Sequence, residues 1–167
     1  MRKTGLLAAA IVLGAAIGAA NITLAADSGN SPPPPPAPSG GNGGQMQEDF
    51  LNSFRLAHAL IYDKADYVAG IAVLRALGHY DHPDVATLIG YASRKLGRYD
   101  DAKYWYEKAL AADPKHATTL SYYGMWHAEQ GNLLKAKDEL EKVRMVCGTE
   151  CEPYKQLKAV INGTATY

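Results

Sequence analysis

Apolar side chains return at helical spacing through most of residues 46–162, in short blocks separated by glycine, proline or aspartate breaks. Ala102, Tyr106, Ala109 and Leu110 fall on one helix face, and Ala136, Leu140 and Val143 form a similar stripe further on. Upstream, Phe50, Phe54, Ala57 and Ile61 make one stripe, and Leu74 and Leu77 mark a second helix. After Pro153, the apolar side of a last helix carries Tyr154, Leu157, Val160 and Ile161, with Lys155 and Lys158 facing out. No strand-like alternation surrounds these blocks, so the pattern predicts an all-α domain over 46–162.

The blocks repeat. Laying Pro83–His116 over Ala117–Glu150 at a shift of 34 residues, without a gap, pairs Gly90 with Gly124, Gly97 with Gly131 and Ala102 with Ala136. Lys103, Glu107 and Lys108 then meet Lys137, Glu141 and Lys142. Gly90 and Gly124 each follow a large side chain, Ile89 or Tyr123, and suit a place where a second helix must come close. Gly97 and Gly131 sit just past a first helix, where a left-handed residue ends it with little strain. Asp113 and Pro114 close the first copy, because proline cannot continue a helix. An upstream copy is offset by 32 residues, with Asp66 and Tyr67 opening its second helix as Tyr99 and Asp100 do in the next. Gly78 ends that copy, and Pro83 opens the following helix in the first turn, where its missing donor costs nothing.

The segment IGYASRKLGRYDDAKYWYEKALAADP carries the small, turn, alanine, aromatic and proline positions of a tetratricopeptide repeat, and Pro83–Pro114 resembles that family. YGMWHAEQGNLLKAKDELEKV is similar through its two glycines, Ala136 and Leu140; it departs at Cys147 and Gly148, where the family has Asp and Pro. Ala86 and Leu120 stand where the first-helix aromatic is usual. The resemblance implies a short right-handed α-solenoid of about three such helix pairs with a C-terminal capping helix. It also implies a concave groove for a peptide or partner protein. Carried over position by position, Arg55 and Tyr62, then Thr87, Tyr91, Arg94 and Lys95, then Ser121, Tyr122 and Met125 face that groove. The Lys and Asn pair that clamps a terminal carboxylate in chaperone-binding members of the family is absent, since Thr87, Tyr91, Ser121 and Met125 occupy those places.

Composition adds the ends of the chain. Arg2 and Lys3 precede an apolar Leu6–Ala20 run, and small residues at Thr23, Ala25 and Ala26 suit a signal peptidase, so residues 1–26 are expected to be a cleaved export signal. Residues 27–45, with five consecutive prolines at Pro32–Pro36 and glycines at Gly40–Gly44, predict a disordered linker, and residues 163–167 a disordered tail. The periplasm, or secretion, is the expected location. The 17 Lys and Arg balance 17 Asp and Glu, so there is no basic footprint for nucleic acid.

Candidate chemistry is sparse. Cys147 and Cys151 are the only thiols, and in an exported protein they are expected to form a disulfide that pins the last helix. A thiol redox pair is the alternative, but the spacing is not that of a two-residue redox motif. His79, Tyr80, Asp81 and His82 hold three ligand-type side chains, read as a helix junction capped by Asp81 or His82 rather than a metal site. No nucleophile elbow, phosphate loop or dinucleotide fingerprint occurs, so no catalytic residue, metal or cofactor is expected. The expected function is a non-enzymatic scaffold or adaptor of the cell envelope with a protein partner and no small-molecule substrate. The alternative is a structural protein that self-associates through exposed aromatics such as Tyr104 and Trp105.

Overall fold

The computed structural model describes residues 42–165, and the described residues contain seven α-helices and no strand. The expected export signal and most of the expected linker lie outside the described residues. Helices α1 (Asn42–Tyr62) and α2 (Tyr67–Leu77) form one hairpin, α3 (Pro83–Lys95) and α4 (Tyr99–Ala112) a second, and α5 (Ala117–Glu129) and α6 (Leu133–Cys147) a third. The last helix, α7 (Glu152–Ile161), has no hairpin partner among the described residues and packs on both α5 and α6. Contacts of α1 with α3, α3 with α5 and α5 with α7 run the first helices side by side, which makes the chain a short tetratricopeptide-like α-solenoid.

The helix ends follow the local chemistry. Asp66 and Asn132 cap α2 and α6, their side-chain oxygens accepting the backbone N–H of Ala69 at 3.0 Å and of Lys135 at 3.1 Å. Gly97 (φ 73°) and Gly131 (φ 75°) adopt the left-handed backbone that stops α3 and α5. His82 occupies the cap position of α3 without a side-chain capping bond, and Pro83 starts the helix. Two boundaries differ from expectation. α1 begins at Asn42, inside the expected linker, because its amphipathic body around Phe50 and Phe54 carries the first turn despite Gly43 and Gly44. At the other end Gly163 and Thr164, expected in the tail, close α7: their N–H groups bond the carbonyls of Val160 at 3.0 Å and Ala159 at 2.9 Å.

The small residues lie where helices cross. A Cβ on Gly90 would stand 2.8 Å from the Tyr106 ring of α4 and 3.3 Å from the Ala102 carbonyl, so hydrogen is the only side chain that fits. Gly124 is the same position one repeat later, yet the side chain above it comes mainly from elsewhere. Its Cβ would stand 2.5 Å from Leu157 of α7 and 3.1 Å from Glu139 of α6. Leu140, the residue in register with Tyr106, is only half-buried, while Leu157 is fully buried. One core cluster runs through Ile61, Leu74, Val85 and Ile89, and a second gathers Ala102, Tyr106 and Tyr123. Trp105 belongs to the first cluster: the indole is buried against Tyr80, with ring centroids 5.4 Å apart, so of the two aromatics expected on the surface, Tyr104 and Trp105, Tyr104 is the exposed one.

Cys147 and Cys151 are joined as a disulfide that ties the last residue of α6 to the residue before α7. A bridge across four residues of sequence removes little chain entropy, on the order of 2 kcal/mol. Reduction is therefore expected to lower the unfolding free energy by about 2 kcal/mol and leave the helical circular dichroism intact, a comparison made by denaturant titration with and without reductant.

Candidate functional site

The inner wall of the solenoid is built from the first helices, and its centre is a tyrosine cluster. Tyr62 of α1, Tyr91 of α3 and Tyr122 of α5 lie in series, with ring centroids 5.1 Å apart for Tyr62–Tyr91 and 5.2 Å for Tyr91–Tyr122. The hydroxyls of Tyr62 and Tyr122 meet at 2.9 Å, so the cluster reaches from α1 to α5 across α3. Tyr67 adds an edge contact to Tyr91 at 6.4 Å, and His58 packs on Tyr62 at 4.5 Å. Desolvation and the neighbouring Tyr122 hold the Tyr62 hydroxyl protonated well above the ordinary phenol range.

Arg94 lies beneath these rings. Its side chain is buried, with the guanidinium carbon 5.5 Å from the Tyr91 centroid and 6.0 Å from that of Tyr122. Its Nη1 donates to the Tyr122 carbonyl at 3.3 Å, and its Nε lies 3.7 Å from the Glu129 carboxylate. Burial pushes the Glu129 pKa up while Arg94 and Lys95 pull against it. Lys95 stands over the other part of Tyr91, its Nζ 5.9 Å from the ring centroid.

Two recesses flank the cluster and meet at Tyr122. One, of 310 Å³, is walled by Tyr91 and Arg94, by Tyr122 and Met125, and by Gln156 and Val160 of α7. The other, of 270 Å³, lies among Phe54, His58 and Tyr62 of α1, Thr87 and Leu88 of α3, and Tyr122. At its edge Asp84 accepts from His116 Nε2 at 3.1 Å, and His116 Nδ1 lies 2.6 Å from the Thr119 hydroxyl. The bond from His116 holds the Asp84 carboxyl below its ordinary pKa. Since this pKa is lower folded than unfolded, the stabilisation is complete above about pH 4 and fades as pH falls through the depressed value. Asp84→Asn is accordingly expected to lower the urea midpoint near neutrality, with the gap to wild type closing below pH 4.

The structure brings Tyr62, Tyr91, Arg94, Lys95, Tyr122 and Met125 together on this wall. Arg55 is exposed on α1 and lines neither recess. Thr87 lines the second recess and Ser121 a smaller one beside Tyr122, but both hydroxyls are already engaged. Thr87 is buried, donating to the Pro83 carbonyl at 2.6 Å and pairing with Thr119. Ser121 lies under α7 and donates to the Pro153 carbonyl at 2.8 Å, because α7 runs where a fourth first helix would run. Arg94 and Met125 are also buried and contribute only the floor of their recess. Glu129, Gln156 and Val160 were not among the residues expected at the site. Glu129 is the residue in register with Lys95 one repeat on, and the start of α7, 35 residues after that of α5 (Ala117, Glu152), was the signal that Gln156 and Val160 join the wall.

Residues 83–116 match the tetratricopeptide repeat family. A 50-residue stretch is 40% identical to the uncharacterized protein ycf37 of Guillardia theta, covering 30% of this chain and 28% of that protein. Among solved structures, the type III secretion translocator chaperone SycD of Yersinia enterocolitica superimposes with a TM-score of 0.59 at 18% identity, over 70% of this chain and 89% of SycD. SycD in complex with a peptide of the translocator YopD gives 0.58 at 19% identity over the same shares of the two chains. The first repeat domain of Spaghetti (RPAP3), bound to the HSP90 peptide SRMEEVD, gives 0.59 at 16% identity, over 71% of this chain and 95% of that one. What is shared at these identities is the fold: the chain carries a tetratricopeptide repeat within a solenoid of the same architecture.

Proposed function

We propose that this protein is a non-enzymatic adaptor of the cell envelope whose inner wall binds an extended segment of another protein. The observation that carries the reading is the Tyr62–Tyr91–Tyr122 cluster, rimmed by Lys95 and flanked by a recess on either side. Rigid aromatic side chains with hydroxyl ends contribute much contact area for little lost freedom, and such anchors dominate interface energies. Two structures of the same architecture hold peptides, which supports the reading. In it residues 1–26 direct export to the periplasm, and residues 27–41 are a spacer that extends the reach of the solenoid.

The test uses the full chain expressed in its own host with a photo-crosslinking side chain at Lys95 or, as control, at Tyr104 on α4. Crosslinks to one partner from position 95 but not 104 are expected. Tyr62→Ala with Tyr91→Ala is expected to weaken capture at least tenfold, on the order of two interface anchors, while the far-ultraviolet spectrum stays helical. Equal crosslinking from both positions, or undiminished capture by the double variant, would sink the reading. Cell fractionation with N-terminal sequencing of the mature chain tests the export proposal separately.

A further inference from the structure

A third recess, of 240 Å³, opens between α4 and α6 above α5, and it shares no lining residue with the two on the inner wall. Helices α4 and α6 do not pack on each other, so the gap is floored by side chains of α5: Tyr123, Trp126 and His127. Their rings interlock, with centroids 4.4 Å apart for Tyr123–His127 and 5.0 Å for Trp126–His127. His127 is 5% exposed and lines the recess, and its ring nitrogens have no hydrogen-bond partner among the described residues. With no such partner, the ring nitrogens are left to water or to a ligand in the recess.

The walls around it are cationic. Lys103 comes from α4 and Lys135 from the first turn of α6, whose N-terminal end adds a partial positive charge. The Lys135 ammonium pairs with no carboxylate among the described residues. The single acid lining the recess, Glu107, already accepts the Tyr123 hydroxyl at 2.9 Å and lies 3.9 Å from Lys103. Burial, together with Lys135, Lys103 and Lys142, lowers the His127 pKa, against a smaller opposing effect of Glu107. The imidazole therefore stays neutral near pH 7 and has one N–H to donate.

We propose that this recess is a binding site for a single oxyanion group, a carboxylate or a tetrahedral anion. Lys103 and Lys135 supply the charge, His127 donates a hydrogen bond from below, and the Tyr123 and Trp126 rings contact the stem that carries the group. The site is independent of the inner wall, so a protein held there leaves it open. Bound anion favours the imidazolium, so affinity rises as pH falls through the His127 pKa. The groups that set this dependence are Lys103 and Glu107 of α4 and Lys135 and Lys142 of α6.

The experiment follows the imidazole resonances of the full chain by NMR, with His127→Gln to assign His127, during titration with sodium sulfate and, separately, sodium acetate. Sodium chloride at matched ionic strength is the control. A saturable shift of the His127 ring with at least one of the two anions, together with a raised His127 pKa at saturation, is the expected result. Saturation by acetate identifies a carboxylate ligand, and saturation by sulfate alone a tetrahedral one. Both lysines are exposed, so Lys103→Met with Lys135→Met leaves the fold intact and is expected to weaken binding at least about tenfold. Shifts no larger than those with chloride, or saturation unchanged in the double lysine variant, would overturn the proposal.

Discussion

Tyr106→Ala is expected to lower the unfolding free energy by about 3–5 kcal/mol, a large part of what holds a domain of this size together. Tyr106 is the largest fully buried side chain among the described residues, and its ring fills the space opened by the missing side chain of Gly90. Truncation leaves a cavity bounded by two helix backbones that cannot move together without displacing their neighbours. Tyr106→Phe separates packing from polarity. The hydroxyl is buried without a hydrogen-bond partner among the described residues, and its burial raises the phenol pKa. Its removal is expected to be neutral or to stabilise by up to about 1 kcal/mol, because a desolvated group with no compensating bond is lost. Denaturant titration of both variants reads this out, and a loss of 1 kcal/mol or more in Tyr106→Phe would show that the hydroxyl has a partner.

The second large effect concerns how α7 is seated. Leu157 is fully buried over Gly124, so Leu157→Ala is expected to cost about 2–5 kcal/mol. Gly124→Ala alone puts a methyl group 2.5 and 2.9 Å from the two Leu157 methyls and is expected to cost about 1–3 kcal/mol through overpacking. Combined, the two changes compensate. The clash with Leu157 is gone, the new methyl fills part of the cavity, and alanine favours the helix over glycine by about 1 kcal/mol. The double variant should therefore be more stable than Leu157→Ala, with a coupling of about 1–3 kcal/mol in the thermodynamic cycle. Simple additivity would mean that α7 does not rest on Gly124 in solution.

These two sites also mark how far the sequence could be read. Gly90 and Tyr106 were legible because the 34-residue offset placed a small residue and a large one on facing helices. Gly124 was legible as a crossing, but its filler was not, because the offset points to Leu140 and the structure uses Leu157 from beyond the last full copy. On the inner wall, Tyr91 and Tyr122 could be placed because the resemblance to the tetratricopeptide repeat carries groove positions onto them. The burial of Thr87 and Ser121 depends on Thr119 and on the Pro153 carbonyl, contacts made between helices and across a chain reversal that periodicity does not encode. Arg94 was expected to face the groove, and the folded chain covers it with two tyrosine rings and Glu129, contacts between helices that the repeat offset does not encode. His127 gave no signal, since a single histidine on a helix acquires meaning only when Lys103 and Lys135 arrive from two other helices.

Helix α7 has a further consequence. Among the described residues it is a first helix without a hairpin mate, and the residues it turns outward include Lys155 and Lys158. Molecules of this kind can stack head to tail into fibres when each end offers the next an apolar hairpin socket. Here the outward side of α7 carries charge, so a second molecule stacking on it meets two ammonium groups where it would need a greasy ledge.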